Sequence, residues 1–205
     1  MKRKIIGYYD YTVILTYAGL LFACAGIFTA IDSRPRTAAV LLMAAGVCDL
    51  FDGAVASTKK RTADEKRFGI QIDSLCDLVS FGELPAVIAY TTSPTPITAV
   101  IAALYTLTAV IRLAYFNVAE ETRQHDSGER RKTYLGVPVT VIALILPEAV
   151  ILSHVLDIPS IIKISLIPMG IGYIAPIDVP KPRIKGLIVL VLIMISEGAA
   201  LFLLR

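Results

Sequence analysis

Four aspartates in this sequence stand at spacings that bring carboxylates together. Asp49 and Asp52 are three residues apart, and Asp73 and Asp77 are four apart. On helices, each spacing puts the pair on one face. Two such faces turned toward each other place four carboxylates around a shared point. At low dielectric they cannot all stay ionised without counter-charge. A hard divalent cation supplies that charge, and carboxylate oxygens are its natural ligands. Two cations supply it better, and such a pair clamps a phosphate oxygen together with its leaving group. A single aspartate at a helix end reads as readily as a side chain reaching water or pairing with Arg112. Four at one depth and in register do not read that way.

The elements that must position them are apolar. The chain has 205 residues, 56% hydrophobic and 18% charged, with a mean hydropathy of +0.70. Soluble domains carry about 25% charged residues, so the composition points to an integral membrane protein. The net charge of +3 is modest and argues against nucleic acid as a partner. Seven apolar stretches are expected to be membrane helices: 12–31, 37–56, 69–91, 95–118, 136–156, 160–177 and 184–204. Each is near the ~20 residues a spanning helix needs, and none alternates as a barrel strand would. The fold class expected is therefore all-α, a polytopic bundle forming a single domain over 1–205. The basic start is read as part of the first span and not as a signal peptide, because no small-residue cleavage site follows it.

Basic residues set the orientation. They gather at Lys2, Arg3 and Lys4, at Lys59 to Arg67, at Arg123 to Lys132 and at Lys181 to Lys185. The connections near 91–96 and 154–160 have none. The positive-inside rule then puts the N-terminus in the cytoplasm and the C-terminus outside. Arg34 and Arg36, in the first outer connection, do not fit. With this topology all four aspartates lie at one level, in the cytoplasmic half of the membrane. Charge at a helix centre costs roughly 2.5–3.5 kcal/mol on insertion scales, so such residues mark function. Small residues in the first two stretches (Gly19, Ala23, Gly26; Ala45, Gly46) suit close helix contact, within one protomer or between two. Cys24, Cys48 and Cys76 read as small apolar residues.

Other residues point to the same level. Arg112, two turns from the end of the fourth stretch, suits a counter-ion or a phosphate clamp. Asn117 lies beyond it. Gly53 and Gly69 allow close approach of a ligand or of another helix.

Together, Asp49-Leu-Phe-Asp52-Gly53-Ala-Val-Ala56 and Gly69-Ile-Gln-Ile-Asp73-Ser-Leu-Cys-Asp77 resemble the signature of the CDP-alcohol phosphatidyltransferases. Asp49, Asp52, Gly53, Ala56, Gly69, Asp73 and Asp77 stand where that signature has its fixed residues. The continuation through Ser80-Phe81-Gly82, with Arg112-Leu-Ala-Tyr-Phe-Asn117 and Gly136-Val-Pro138, looks like the phosphatidylserine synthase branch. There are two departures. The family arginine after Ala56 is Ser57, and the linker from Ser57 to Gly69 is longer.

The resemblance implies transfer of a phosphatidyl group from CDP-diacylglycerol to L-serine, with release of CMP. Glycerol 3-phosphate and inositol phosphate are alternative acceptors, and a cation transporter is the alternative from another class. It implies divalent metal, Mg2+ or Mn2+, as two ions held by Asp49, Asp52, Asp73 and Asp77, with Asp77 also the general base. It implies a CDP-lipid site at Gly53, Ala56, Ser57, Lys60, Arg61 and Gly69. The role of the missing arginine would pass to Lys59, Lys60 or Arg61. Ser80, Arg112 and Asn117 would serve a phosphate or the acceptor. The expected setting is the plasma membrane, with the site facing the cytoplasm and the chain a homodimer among membrane lipid.

Overall fold

A computed structural model describes residues 6–126, 133–180 and 184–204. Of the basic residues that set the orientation, Lys2, Arg3, Lys4, Arg130, Arg131, Lys132, Lys181 and Arg183 lie outside them. The described chain is almost wholly helical: α1 (Ile14–Ile31), α2 (Pro35–Ala56), α3 (Ala63–Asp77), α4 (Leu84–Thr92), α5 (Pro96–Asp126), α6 (Ile142–Val155), α7 (Ser160–Ile174) and α8 (Ile184–Leu203). The all-α membrane-like bundle read from the sequence is what the chain forms. By length and composition, Tyr11–Ile31, Pro35–Ala56, Pro96–Glu121 and Gly186–Leu203 can each cross a membrane, whereas α6 and α7 are shorter apolar helices.

The third apolar stretch, 69–91, differs from the single helix expected of it. Its helix begins at Ala63, six residues before the apolar run. A capping box starts it: Glu65 N–H donates to Thr62 Oγ1 at 3.2 Å, and Thr62 N–H donates to Glu65 Oε2 at 2.7 Å. The box satisfies two of the donors that a helix start leaves unpaired, so the charged turn from Asp64 to Arg67 is helical too. Further along, a π-helical segment, Leu78–Glu83, separates α3 from α4. It follows Asp77 directly.

Small residues hold the first helices together. Gly19, Ala23, Gly26 and Ala30 form a buried stripe on α1. A Cβ on Gly19 would lie 3.4 Å from Cys48 Cβ of α2, and one on Gly26 would come within 2.8 Å of Leu84 in α4. This stripe therefore packs within the protomer. Gly46 does the same on α2, facing Ala143 of α6 and Met194 of α8. The three cysteines are free.

Two connections meet at one end of the bundle. β1 (Thr133–Leu135) pairs antiparallel with β2 (Asp178–Pro180), joining the α5–α6 connection to the α7–α8 connection. Gly136 follows β1 with φ +76°, and its amide donates to Ile177 O at 2.8 Å. A Cβ there would sit 2.7 Å from Tyr173 O, so glycine is required both for the turn and for the contact. At the opposite end, the Arg36 guanidinium donates to Leu204 O near the end of α8. That gives one of the two misfitting arginines a structural partner at helix-end carbonyls.

Candidate active site

The four aspartates come together. Asp49 and Asp52 project from the last two turns of α2, and Asp73 and Asp77 from the last two turns of α3. Asp49, Asp52 and Asp73 are half-buried, and each offers a carboxylate oxygen within 4.8 Å of the others. The Asp77 carboxyl lies against Asp49, and that of Asp52 against Asp73. α1 contributes Thr16, whose Oγ1 donates to Asp52 Oδ2 at 3.1 Å. The two ion pairs of Lys59 do not reach this cluster. Such a donor set, hard and anionic, fits a divalent metal.

Two clefts open onto the cluster. The larger, about 900 Å³, runs along α3, with Arg61, Lys66 and Arg67 beside Gly53, Ala56 and Gly69. Thr12 and Val13 close its N-terminal side, and Glu120 and Glu121 of α5 face it. The smaller, about 280 Å³, holds Asp49, Asp77 and Arg112, with Tyr134, Pro138 and Thr140 behind. Asp52, Gly53 and Asp73 line both clefts, so the two spaces meet at the carboxylates. Among the described residues and beyond the backbone of its own helix turn, nothing would lie within 4 Å of a Cβ on Gly53, which leaves that junction open. Arg112 is only 7% exposed, and its Nε finds no hydrogen-bond partner among the described residues.

The basic residues of the linker have separate fates. Lys59 is taken up locally: its Nζ pairs with Asp10 Oδ2 at 2.6 Å and with Glu65 Oε1 at 3.2 Å. The Lys59 hydrogen bond, helped by Thr12, pulls the Asp10 carboxyl down to about 2. Glu65 is lowered first by the Thr62 N–H and then by Lys59. Lys59 is raised, by Asp10 before Glu65. The depressed carboxylates contribute in full above the ordinary carboxylate range; Asp10 loses that contribution as pH falls toward about 2, and Glu65 as pH falls through its lowered value. The raised lysine contributes below its ordinary value and loses that contribution above it. The clamp therefore contributes in full between the ordinary carboxylate range and the ordinary lysine value, and it adds no pH dependence between them.

Lys60 is exposed and lines neither cleft. Ser57 donates to Ala54 O at 2.7 Å and finishes α2. Arg61 alone of the three basic candidates enters the larger cleft, with its Nη1 2.9 Å from where a Gly69 Cβ would stand. Asn117 accepts from Ser74 Oγ at 2.6 Å and ties α5 to α3. Ser80 is buried in the π segment. Neither Asn117 nor Ser80 lines either of the two clefts.

Lys66, Arg67, Thr12, Thr16, Glu120, Glu121, Tyr134 and Thr140 were not anticipated. A signal existed for Lys66: it stands seven residues before Asp73 and so shares that helix face. Starting the helix at 69 hid it.

Gly69 and Arg61 give a direct test. A methyl at Gly69 must displace the Arg61 guanidinium, the flexible end of a side chain, so the fold should survive. If the larger cleft takes the CDP-lipid that the family resemblance implies, Gly69→Ala and Arg61→Ala should each weaken its binding by roughly 10-fold, the scale of one charged hydrogen bond. Combined, they should do little more than Arg61→Ala alone. Additive losses, measured by lipid-analogue titration, would show that Gly69 acts by touching the ligand itself.

Fold and site together define a helical membrane protein with a carboxylate centre able to hold a metal ion. The family model for CDP-alcohol phosphatidyltransferases matches residues 12–175. The chain belongs to that family, and the whole of α8 lies beyond the matched stretch. A CDP-diacylglycerol–serine O-phosphatidyltransferase of Mycobacterium leprae is 37% identical over 136 residues, covering 62% of this chain and 44% of that protein. One of Helicobacter pylori is 29% identical over 149 residues, covering 71% and 59%. One of Methanocaldococcus jannaschii is 29% identical over 180 residues, covering 87% and 76%. The chain thus spans a little under half the length of the M. leprae protein.

Proposed function

We propose that the chain transfers a phosphatidyl group from CDP-diacylglycerol to the hydroxyl of L-serine, forming phosphatidylserine and CMP. The observation that carries this reading is the meeting of two unequal clefts at Asp52, Gly53 and Asp73. A two-substrate transfer needs that layout. The larger cleft, with Arg61, Lys66 and Arg67 in its lining, suits a nucleotide diphosphate, and the smaller one suits a short polar alcohol. Arg112, buried with an unused donor, suits the acceptor's carboxylate. The names of the relatives favour serine over glycerol 3-phosphate or inositol phosphate.

Asp49, Asp52 and Asp73, with Asp77 beside them, would hold divalent metal, Mg2+ or Mn2+, as two ions matching the charge of four carboxylates. Metal bound there stabilises charge on the phosphate oxygens and on the leaving group. Arg61, Lys66 and Arg67 hold the diphosphate at the headgroup level. Arg112 orients the acceptor. Asp77, in the smaller cleft, takes the hydroxyl proton as the serine oxygen bonds to the phosphorus that carries diacylglycerol. The P–O bond to the CMP phosphate breaks, and CMP leaves with the bonding pair.

The test is CMP release from CDP-diacylglycerol by the purified protein, with Mg2+ or Mn2+ and a panel of alcohols. Release that depends on L-serine, with phosphatidylserine formed, is expected. Release with glycerol 3-phosphate alone would reassign the acceptor. No release with any alcohol would overturn the reading and favour the cation-transporter alternative.

We infer seven spans, with the α3–π–α4 run as the third, which by the positive-inside rule would put the site at the cytoplasmic face of the plasma membrane. A Lys60→Cys protein should then resist an impermeant maleimide in intact cells and react in inverted vesicles, while Pro94→Cys does the reverse. Glu83 is exposed on the third run, where a carboxylate facing lipid is costly. A second copy covering it would form a homodimer, which light scattering in detergent should detect as twice the monomer mass.

A further inference from the structure

We propose that Tyr105 and Tyr173 are positioning residues: a buried pair of phenols that fixes the wall of the smaller cleft relative to the helix carrying Asp77, and so sets the fit of the acceptor. The inference rests on the reading of that cleft as the acceptor site.

The pair lies behind the site and lines neither cleft. Each residue is 2% exposed. Tyr105, on α5, donates its hydroxyl to Phe81 O at 2.6 Å. Phe81 belongs to the π segment that begins immediately after Asp77. In a π segment the backbone bonds run to the fifth residue, and the regular ladder on either side is interrupted. A hydroxyl directed at one of its carbonyls holds that irregular stretch in place. The Tyr105 hydroxyl is also 2.9 Å from that of Tyr173 on α7, and Tyr173 donates to Val139 O at 3.1 Å. Val139 lines the smaller cleft between Pro138 and Thr140. Two phenols thus bridge the backbone just past Asp77 and the backbone of the opposite cleft wall.

Close packing holds the bridge in register. Gly170 lets α7 approach α5: a Cβ there would lie 3.0 Å from Thr108 Oγ1 and 3.7 Å from Tyr105 Cα. The Tyr173 backbone carbonyl sits under Gly136, so the same residue anchors the turn leading into Pro138.

Proton counting makes the bridge a unit. Each phenol has one hydroxyl proton, and there are three oxygen–oxygen contacts to fill. The contacts run in series, from Phe81 O through Tyr105 and Tyr173 to Val139 O. Two protons fill two of the three at a time, and each phenol is the link to one of the two carbonyls, so deleting either hydroxyl leaves one end of the series unattached. A cavity-filling pair of rings would lack that property.

The experiment uses Tyr105→Phe, Tyr173→Phe and the double variant, which keep the rings and remove only hydroxyls. For each, KM is measured for acceptor and for CDP-diacylglycerol, alongside thermal unfolding. Tyr105→Phe should raise the acceptor KM by roughly 10-fold, the scale of one buried hydrogen bond. The KM for CDP-diacylglycerol should stay within about 2-fold, since the larger cleft does not touch the bridge. Tyr173→Phe should do the same, and the double variant should be no worse than either alone. Acceptor KM values that do not move, that move together with the lipid KM, or that add in the double variant overturn the proposal. If one variant fails to fold, the other still reads the acceptor KM against the lipid KM. Wild-type protein that transfers to no alcohol would instead sink the functional reading. The unfolding cycle still reads the bridge in that case, and independent destabilisation by the two deletions would refute it.

Discussion

Asp77→Asn should still bind CDP-diacylglycerol and yet turn over roughly 10²–10⁴-fold more slowly, the usual contribution of a general base. Asp77 stands apart from the other three aspartates in a way that supports a separate role. The oxygens within 4.8 Å of one another belong to Asp49, Asp52 and Asp73. Asp77 lies against Asp49 and lines only the smaller cleft, with Arg112. Asparagine keeps the size of the side chain and one ligand oxygen but cannot accept a proton. Binding is to be measured with metal present and turnover with serine saturating, so that lost affinity is not mistaken for lost chemistry. Near wild-type turnover by Asp77→Asn would mean that the proton goes elsewhere.

Asp49→Asn, Asp52→Asn and Asp73→Asn should each fail earlier, at metal binding. Changing a residue that merely supports a ligand typically costs 10- to 100-fold in metal affinity, so losing a ligand should cost more than about 100-fold. Titration with Mn2+ followed by electron paramagnetic resonance reads this without turnover. Thr16→Val supplies the scale: it removes the 3.1 Å hydrogen bond to Asp52 but no ligand, so it should weaken Mn2+ by about 10-fold. If all three asparagine variants bind Mn2+ like wild type, the cluster is not the metal centre.

Much of this site was legible before any coordinates. Spacings of three and four residues put Asp49 with Asp52 and Asp73 with Asp77 on common faces, and these faces do meet. Helical periodicity is a local property, and charge is so costly in an apolar run that its placement carries information. Misreadings arose where a local rule met a local competitor. The helix carrying Asp73 starts at Ala63 because a capping box outweighs the polarity of the turn it opens, so Lys66 was missed. The π segment leaves no mark in hydropathy, since Leu78 to Phe81 are as apolar or as small as any helix interior.

By itself the sequence determined that this chain is a bundle of apolar helices, that its aspartates pair on two helix faces, and which family signature they spell. Each follows from composition, periodicity or spacing within about thirty residues. Only the tertiary structure decided which of Lys59, Lys60 and Arg61 enters the larger cleft. Lys59 is removed by Asp10, 49 positions away, while Arg61 is left to lie over Gly69. It also decided that Tyr134, Pro138 and Thr140 stand behind Arg112. They reach that place because β1 pairs with β2 across more than forty residues and Gly136 turns under Tyr173. Contacts between distant segments depend on how whole helices pack, and no spacing along the chain encodes which of several equally basic or equally polar residues that packing will bring to the site.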